Sequence, residues 1–210
     1  IMNTHEKKNF ANSCICRAMR NPFVKNKLNA LKQHDEYTFR HSINVATESI
    51  YLALNFNLND EQFLNLTYAA LMHDIGKIGI SLSILNKNGY LTTSEYEIIK
   101  LHPLVGAKQI RDSHLFSDDV VAGVLMHHEN YDGTGYYNFT ENNINLYSKI
   151  IRIADTFDAM TDKRPYHLPK KESAVINEMQ RFKGFDPDML SVFVQSPNKG
   201  KNIYKDKTNI

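Results

Sequence analysis

Apolar residues recur along this chain at the three- to four-residue spacing of helices, and no stretch alternates with a period of two for a convincing length. The spacing predicts an amphipathic helix from about Tyr37 to Leu54, with Phe39, Ile43, Val45, Ala46, Ile50 and Leu54 on its core face. Asn55 to Asn59 break the pattern. A second helix begins at Asn59-Asp60, with Asp60 the expected N-cap, and runs through Phe63, Leu66, Ala69 and Met72 into His73-Asp74, ended by Gly76 and Gly79. Thr92-x-x-Glu95 has the capping-box spacing and starts a third. Pro103 breaks or kinks it, and a short helix follows over about Leu104 to Ile110. Ser117-Asp118-Asp119 caps a helix that delivers His127 and His128 at its C-terminal end. Ile144 to Thr161, about Glu172 to Phe182 and about Asp188 to Val194 complete the pattern, and Val24 to Leu31 adds a short helix near the start.

The fold class predicted is therefore all-α, one helical domain over residues 35–196. Residues 1–34 read as an N-terminal extension, or as a linker from an upstream domain, since the chain opens Ile1-Met2 and shows no trusted pattern before Val24. Residues 197–210 read as a polar, lysine-rich tail. A chain of 210 residues with 42% apolar and 23% charged residues can bury one sizeable core. Its net charge of +2 is too small to suggest a nucleic acid polymer as partner, so phosphate recognition should be local. No apolar run reaches the roughly 18–20 residues of a membrane span, and no signal peptide opens the chain. Cys14 and Cys16 lack the C-x-x-C spacing and are expected to be reduced, which together predict a cytoplasmic protein.

The chemistry lies in five histidines and two aspartates: His41, His73, Asp74, His102, His127, His128 and Asp155. Imidazole and carboxylate suit borderline first-row metals, and seven ligands exceed what one ion needs. Adjacent ligands such as His73-Asp74 point about 100° apart on a helix, so they reach one ion only near a helix end. Asp155 stands among isoleucines, where an uncompensated carboxylate costs several kcal/mol unless paired or metal-bound. Asp158 shares its helical face. Glu129 either orients a metal-bound histidine or caps a helix end.

The order His41, His73-Asp74-Ile75-Gly76-Lys77, His102, His127-His128-Glu129, Asp132-Gly133-x-Gly135-Tyr136, Asp155 and Arg164-Pro165-Tyr166 resembles the HD-GYP branch of the HD-domain phosphohydrolases, over about residues 35–193. The resemblance implies an all-helical phosphodiesterase that hydrolyses cyclic di-GMP, or a related cyclic dinucleotide, to pGpG, and in many members on to GMP, by metal-activated hydroxide attack. It implies two divalent ions, iron or manganese, with nickel or zinc acceptable to the same donors. His41, His73, Asp74 and Asp155 would hold one ion, and His102, His127 and His128 the second, with Asp74 bridging and catalytic. Lys77 and Arg164 would contact substrate phosphate. The glutamate that supplies a third metal in some members is Tyr37 here, which favours two.

The chain departs from the family at Tyr137, where the signature has proline, and at Asn130, commonly basic. Proline's absence predicts a more adaptable loop over residues 132–143, the surface expected to dock partners such as diguanylate cyclase domains or regulatory proteins. Two rival functions remain: a generic HD nucleotide phosphohydrolase, which needs neither the Asp-Gly-x-Gly-Tyr extension nor Arg164, and a non-catalytic cyclic-dinucleotide- or partner-binding regulatory module.

Overall fold

The computed structural model describes residues 2–162 and 169–196, and among these every regular element is helical. The elements are α1 (Thr4–Ala18), α2 (Pro22–His34), α3 (Glu36–Ala53), α4 (Asp60–Met72), α5 (Leu82–Leu85), α6 (Thr93–Lys100), α7 (His102–Asp112), α8 (Asp118–Leu125), α9 (Leu146–Thr161), α10 (Glu172–Arg181) and α11 (Pro187–Gln195). Short 3-10 turns cover Ile75–Gly79 and Glu141–Asn143.

The packing centres on α3, which lies against α2, α4 and α9, while α8 is clasped by α4, α7 and α9. The sequence predicts an amphipathic α3, yet almost its whole surface is buried, Ser42, Thr47 and Glu48 included. Two of its polar side chains are tolerated because they bond back along the helix: Ser42 Oγ donates to the Thr38 carbonyl at 3.0 Å and Thr47 Oγ1 to the Ile43 carbonyl at 2.9 Å. The predicted cap of α4 shifts by one residue. Asn59, not Asp60, accepts from the Gln62 N–H, and Gln62 closes a capping box onto the Asn59 N–H. The capping box predicted at Thr92 and Glu95 is present.

Helices α1 and α2 bury Ala11, Ile15, Ala18, Val24, Leu28 and Leu31 in the same apolar cluster as α3 and α4. The i, i+4, i+7 spacing of Ala11, Ile15 and Ala18 carries α1, but two of the three are alanines, too small to stand out as a stripe. Gly76 was expected to end α4. That helix stops at Met72, and Gly76 serves a different need: a Cβ there would lie 2.0 Å from the His102 carbonyl oxygen. The 3-10 turn after α4 and the start of α7 touch only because residue 76 has no side chain.

Candidate metal centre

Three helix ends and the middles of two helices converge on one buried point. His73 is the C-cap of α4, His102 follows the C-cap of α6, and His127 follows the C-cap of α8. Each ring turns back onto its own last turn, with Nδ1 at 2.8 Å from the Ala70 carbonyl, 2.7 Å from that of Ile99 and 2.7 Å from that of Val124, respectively. A carbonyl oxygen can only accept, so each Nδ1 carries the proton and each Nε2 presents a lone pair.

Those lone pairs face one another. His102 Nε2 is 3.1 Å from His127 Nε2 and 3.1 Å from Asp74 Oδ1. His73 Nε2 and Asp74 Oδ1 are buried without a hydrogen-bond partner. Acceptors at such distances repel and forfeit their hydration, and a cation among them converts both costs into coordination. The residues present therefore fit a metal.

The donors sort into groups. The ligand atoms of His102, His127 and His128 lie within 4.8 Å of one another, as do those of His41, His73 and Asp155, and those of His73, Asp74 and His127. Asp74 stands between the first two groups with one oxygen towards each. Its Oδ1 lies 3.1 Å from His102 and 4.0 Å from His127, while its Oδ2 lies 3.4 Å from His73 and 3.9 Å from His41. Lys77 Nζ donates to Oδ2 at 2.7 Å.

His41 is oriented by carboxylates: Nδ1 is 2.6 Å from Asp158 Oδ2 and Nε2 is 3.0 Å from Asp155 Oδ1. Burial opposes its protonation, yet Asp155 and Asp158 outweigh that and push its pKa up to about 9. Burial likewise opposes ionisation of Asp74, but Lys77 and His73 hold its carboxyl well below the usual range. Asp155 behaves the same way through its bond to His41. Desolvation lowers His127 and His128 well below the ordinary histidine value, and His102 to a lesser extent. Asp74, Asp155, His102, His127 and His128 are thus held in the ionised-carboxylate and neutral-imidazole forms that ligate metals, whereas His41 would give up its proton to an incoming ion.

Beside the cluster lies a cavity of about 450 Å³, bounded by His41, His128 and Asp155 and by Lys77, Tyr136 and Arg152. A groove of about 510 Å³ between Tyr131 and α11 contains no member of the cluster. Tyr136 covers His128 with ring centroids 4.6 Å apart. Arg152 was not singled out in the sequence, because it reads as the solvated face of an amphipathic helix.

The loop after His128 is tied down, contrary to the adaptable loop expected at Tyr137. Glu129 neither orients a histidine nor caps a helix. Its buried carboxylate accepts the backbone N–H of Tyr137 at 2.8 Å and of Phe139 at 2.9 Å. The Tyr137 hydroxyl donates to the Lys100 carbonyl at 2.8 Å. Gly133 has φ of +79°, while Gly135 is required by close approach, since its Cβ would lie 2.5 Å from Glu129 Cα. Asp132 faces solvent and accepts from Thr134, away from the cluster. Arg164 lies outside the described residues.

An HD domain family model matches residues 20–189. The chain belongs to the HD domain family. The motifs that resemble its HD-GYP branch agree with the relatives found. The chain is 37% identical over 180 residues to a cyclic di-GMP phosphodiesterase of Pseudomonas aeruginosa, covering 85% of this chain and 44% of that protein. It is 33% identical over 183 residues to a cyclic di-GMP phosphodiesterase of Thermotoga maritima, covering 85% and 50%. A 3'3'-cGAMP-specific phosphodiesterase of Vibrio cholerae is 33% identical over 166 residues, covering 77% and 36%. The chain thus spans half or less of the length of these relatives. In structure it is similar to an HDG"Y"P protein from Bdellovibrio bacteriovorus, with a TM-score of 0.65 at 18% identity over 91% of this chain and 63% of that one. The all-α fold of the HD domain expected from the sequence is the fold observed. Among the described residues no helix is long and apolar enough to cross a membrane.

Proposed function

We propose that this domain is a metal-dependent phosphodiesterase that opens cyclic di-GMP or a related cyclic dinucleotide to a linear product such as pGpG. The observation that carries this reading is the Asp74 carboxylate, placed with one oxygen towards each of two adjoining donor groups. A single-ion site needs no such carboxylate, whereas two ions sharing one anion suit phosphodiester displacement. The relatives named as cyclic di-GMP and 3'3'-cGAMP phosphodiesterases supply the substrate class.

In this reading His41, His73, Asp74 and Asp155 would hold one divalent ion, and His102, His127 and His128 together with Asp74 would hold the other. Iron or manganese is the expected metal, with nickel or zinc suited to the same donors. When bound, the ions supply Lewis acidity and bring water into reach of deprotonation near neutral pH. Water adds its oxygen to phosphorus, the bond to ribose O3′ breaks, and O3′ leaves with a proton. Lys77 is set to meet negative charge gathering on the non-bridging oxygens. Tyr136 shields the outer edge of His128. Arg164 is proposed to grip substrate phosphate through paired N–H donors.

The test is metal analysis of the purified protein together with chromatography of products from cyclic di-GMP, 3'3'-cGAMP and cyclic di-AMP. Two metal equivalents and release of a linear dinucleotide are expected. Full metal loading with cleavage of nucleoside monophosphates and no cyclic dinucleotide turnover would return the domain to a generic nucleotide phosphohydrolase.

A further inference from the structure

Of the three cationic side chains that line the cavity, Lys77 is bonded to Asp74 and Lys87 to Glu95, and the chemistry around Asp74 leaves Arg152 unused. Arg152 Nε and Nη2 donate to Asn130 Oδ1 at 3.2 and 3.0 Å, and Nη1 donates to Thr156 Oγ1 at 2.9 Å. The guanidinium lies over the rings of Phe185 and Phe182, at 5.5 and 5.9 Å from their centroids. These bonds engage three of its five N–H donors, and every partner is neutral. Among the described residues it forms no ion pair with a carboxylate, although Asp155 is one turn along the same helix. A half-buried charge fixed in orientation, hydrogen-bonded only to neutral partners and bordering a cavity of about 450 Å³, is arranged to receive an anion. Asn130, where the chain departs from the family's basic residue, supplies the oxygen that aims it.

We propose that Arg152 grips a phosphate of the substrate other than the one being cleaved, which makes it a specificity-determining residue for substrates carrying two phosphates. The proposal rests on the phosphodiesterase reading above. Two arguments fix the ligand. The cleaved phosphate belongs at the histidine–aspartate cluster, where Lys77 is in contact with Asp74, whereas all the hydrogen bonds of Arg152 are to Asn130 and Thr156. A neutral base edge would also leave the guanidinium charge uncompensated, while a phosphate oxygen cancels it. A cyclic dinucleotide carries its second phosphate across the same ring.

The test compares metal-loaded wild type, Arg152→Gln and Arg152→Lys on cyclic di-GMP and on bis(p-nitrophenyl) phosphate, which has a single phosphate. For Arg152→Gln, kcat/KM on cyclic di-GMP should fall roughly ten- to a hundredfold, mostly through KM, the range for losing hydrogen bonds to a charged group. The fall on the single-phosphate ester should be at least tenfold smaller. Arg152→Lys should recover part of the loss, since it keeps charge but not the fork. Metal content should stay at the wild-type value. If Arg152→Gln loses its helical circular dichroism, Asn130→Ala, which removes the aiming oxygen, carries the same comparison. Proportional losses on both substrates would overturn the proposal. So would a loss confined to guanine-containing dinucleotides with cyclic di-AMP unaffected, which would mean that Arg152 reads a base. Wild type that cleaves the single-phosphate ester but no cyclic dinucleotide would sink the phosphodiesterase reading itself, and this inference with it.

Discussion

Replacing Asp158 by asparagine should weaken one metal site and spare the other. Asp158 Oδ2 lies 2.6 Å from His41 Nδ1; it is the shortest of the Nδ1 hydrogen bonds of His41, His73, His102 and His127, and the one of those four supplied by a carboxylate. Asparagine keeps an acceptor oxygen in nearly the same place but removes the charge, and charge-assisted hydrogen bonds are about twice as strong as neutral ones. Loss of an outer partner of a ligating histidine typically costs about 10–100-fold in affinity, or about 1.4–2.7 kcal/mol. Asp158→Asn should sit near the lower end and Asp158→Ala near the upper. The assay is chelator stripping followed by calorimetric titration with manganese. Two steps are expected, with the step of the His41, His73 and Asp155 group weakened and that of the His102, His127 and His128 group unchanged. Equal weakening of both steps would refute the division into two groups, and wild-type affinity throughout would refute the orienting role of Asp158.

Asp74→Ala should abolish turnover and reduce bound metal, because it removes a buried carboxylate whose two oxygens face the two groups; two retained metals with near-normal rate would contradict this. Arg164→Ala should raise KM or lower kcat with metal content unchanged, since a guanidinium is no ligand for a cation; metal loss without unfolding would count against it. Tyr137→Pro deletes both the N–H bonded to Glu129 and the hydroxyl bonded to Lys100, so stability measured by urea denaturation should fall by about 2–4 kcal/mol. Metal stoichiometry should survive that change, and an unchanged denaturation midpoint would show that the loop is held by other means.

The candidate ligands were legible as a set because chemistry at a metal allows few residue types, and the structure brings those scattered positions together. Helices α3, α4 and α9 were legible from their apolar period, and α6 from its capping box. What escaped depends on tertiary placement. Arg152 looks solvated in sequence, since nothing local tells that Phe182 and Phe185 arrive from the connection after α10 to cover it. The role of Glu129 depends on where a loop eight to ten residues later returns. The role of Gly76 depends on a carbonyl twenty-six residues away, and a glycine near a helix end is read by default as a terminator.

The bond from each of three histidine rings to the carbonyl three residues earlier means that the proposed ligands are also the stoppers of α4, α6 and α8. The last carbonyls of a helix must find donors, and here the imidazoles serve before any ion arrives. Assembling the nitrogen cage is then part of closing the helices, so metal uptake should require little rearrangement of the chain. Alanine at any of these three positions strips a helix of its terminal donor as well as an ion of its ligand. A fall in thermal stability of the metal-free protein therefore belongs to the cap, and only the further fall seen with metal present belongs to coordination.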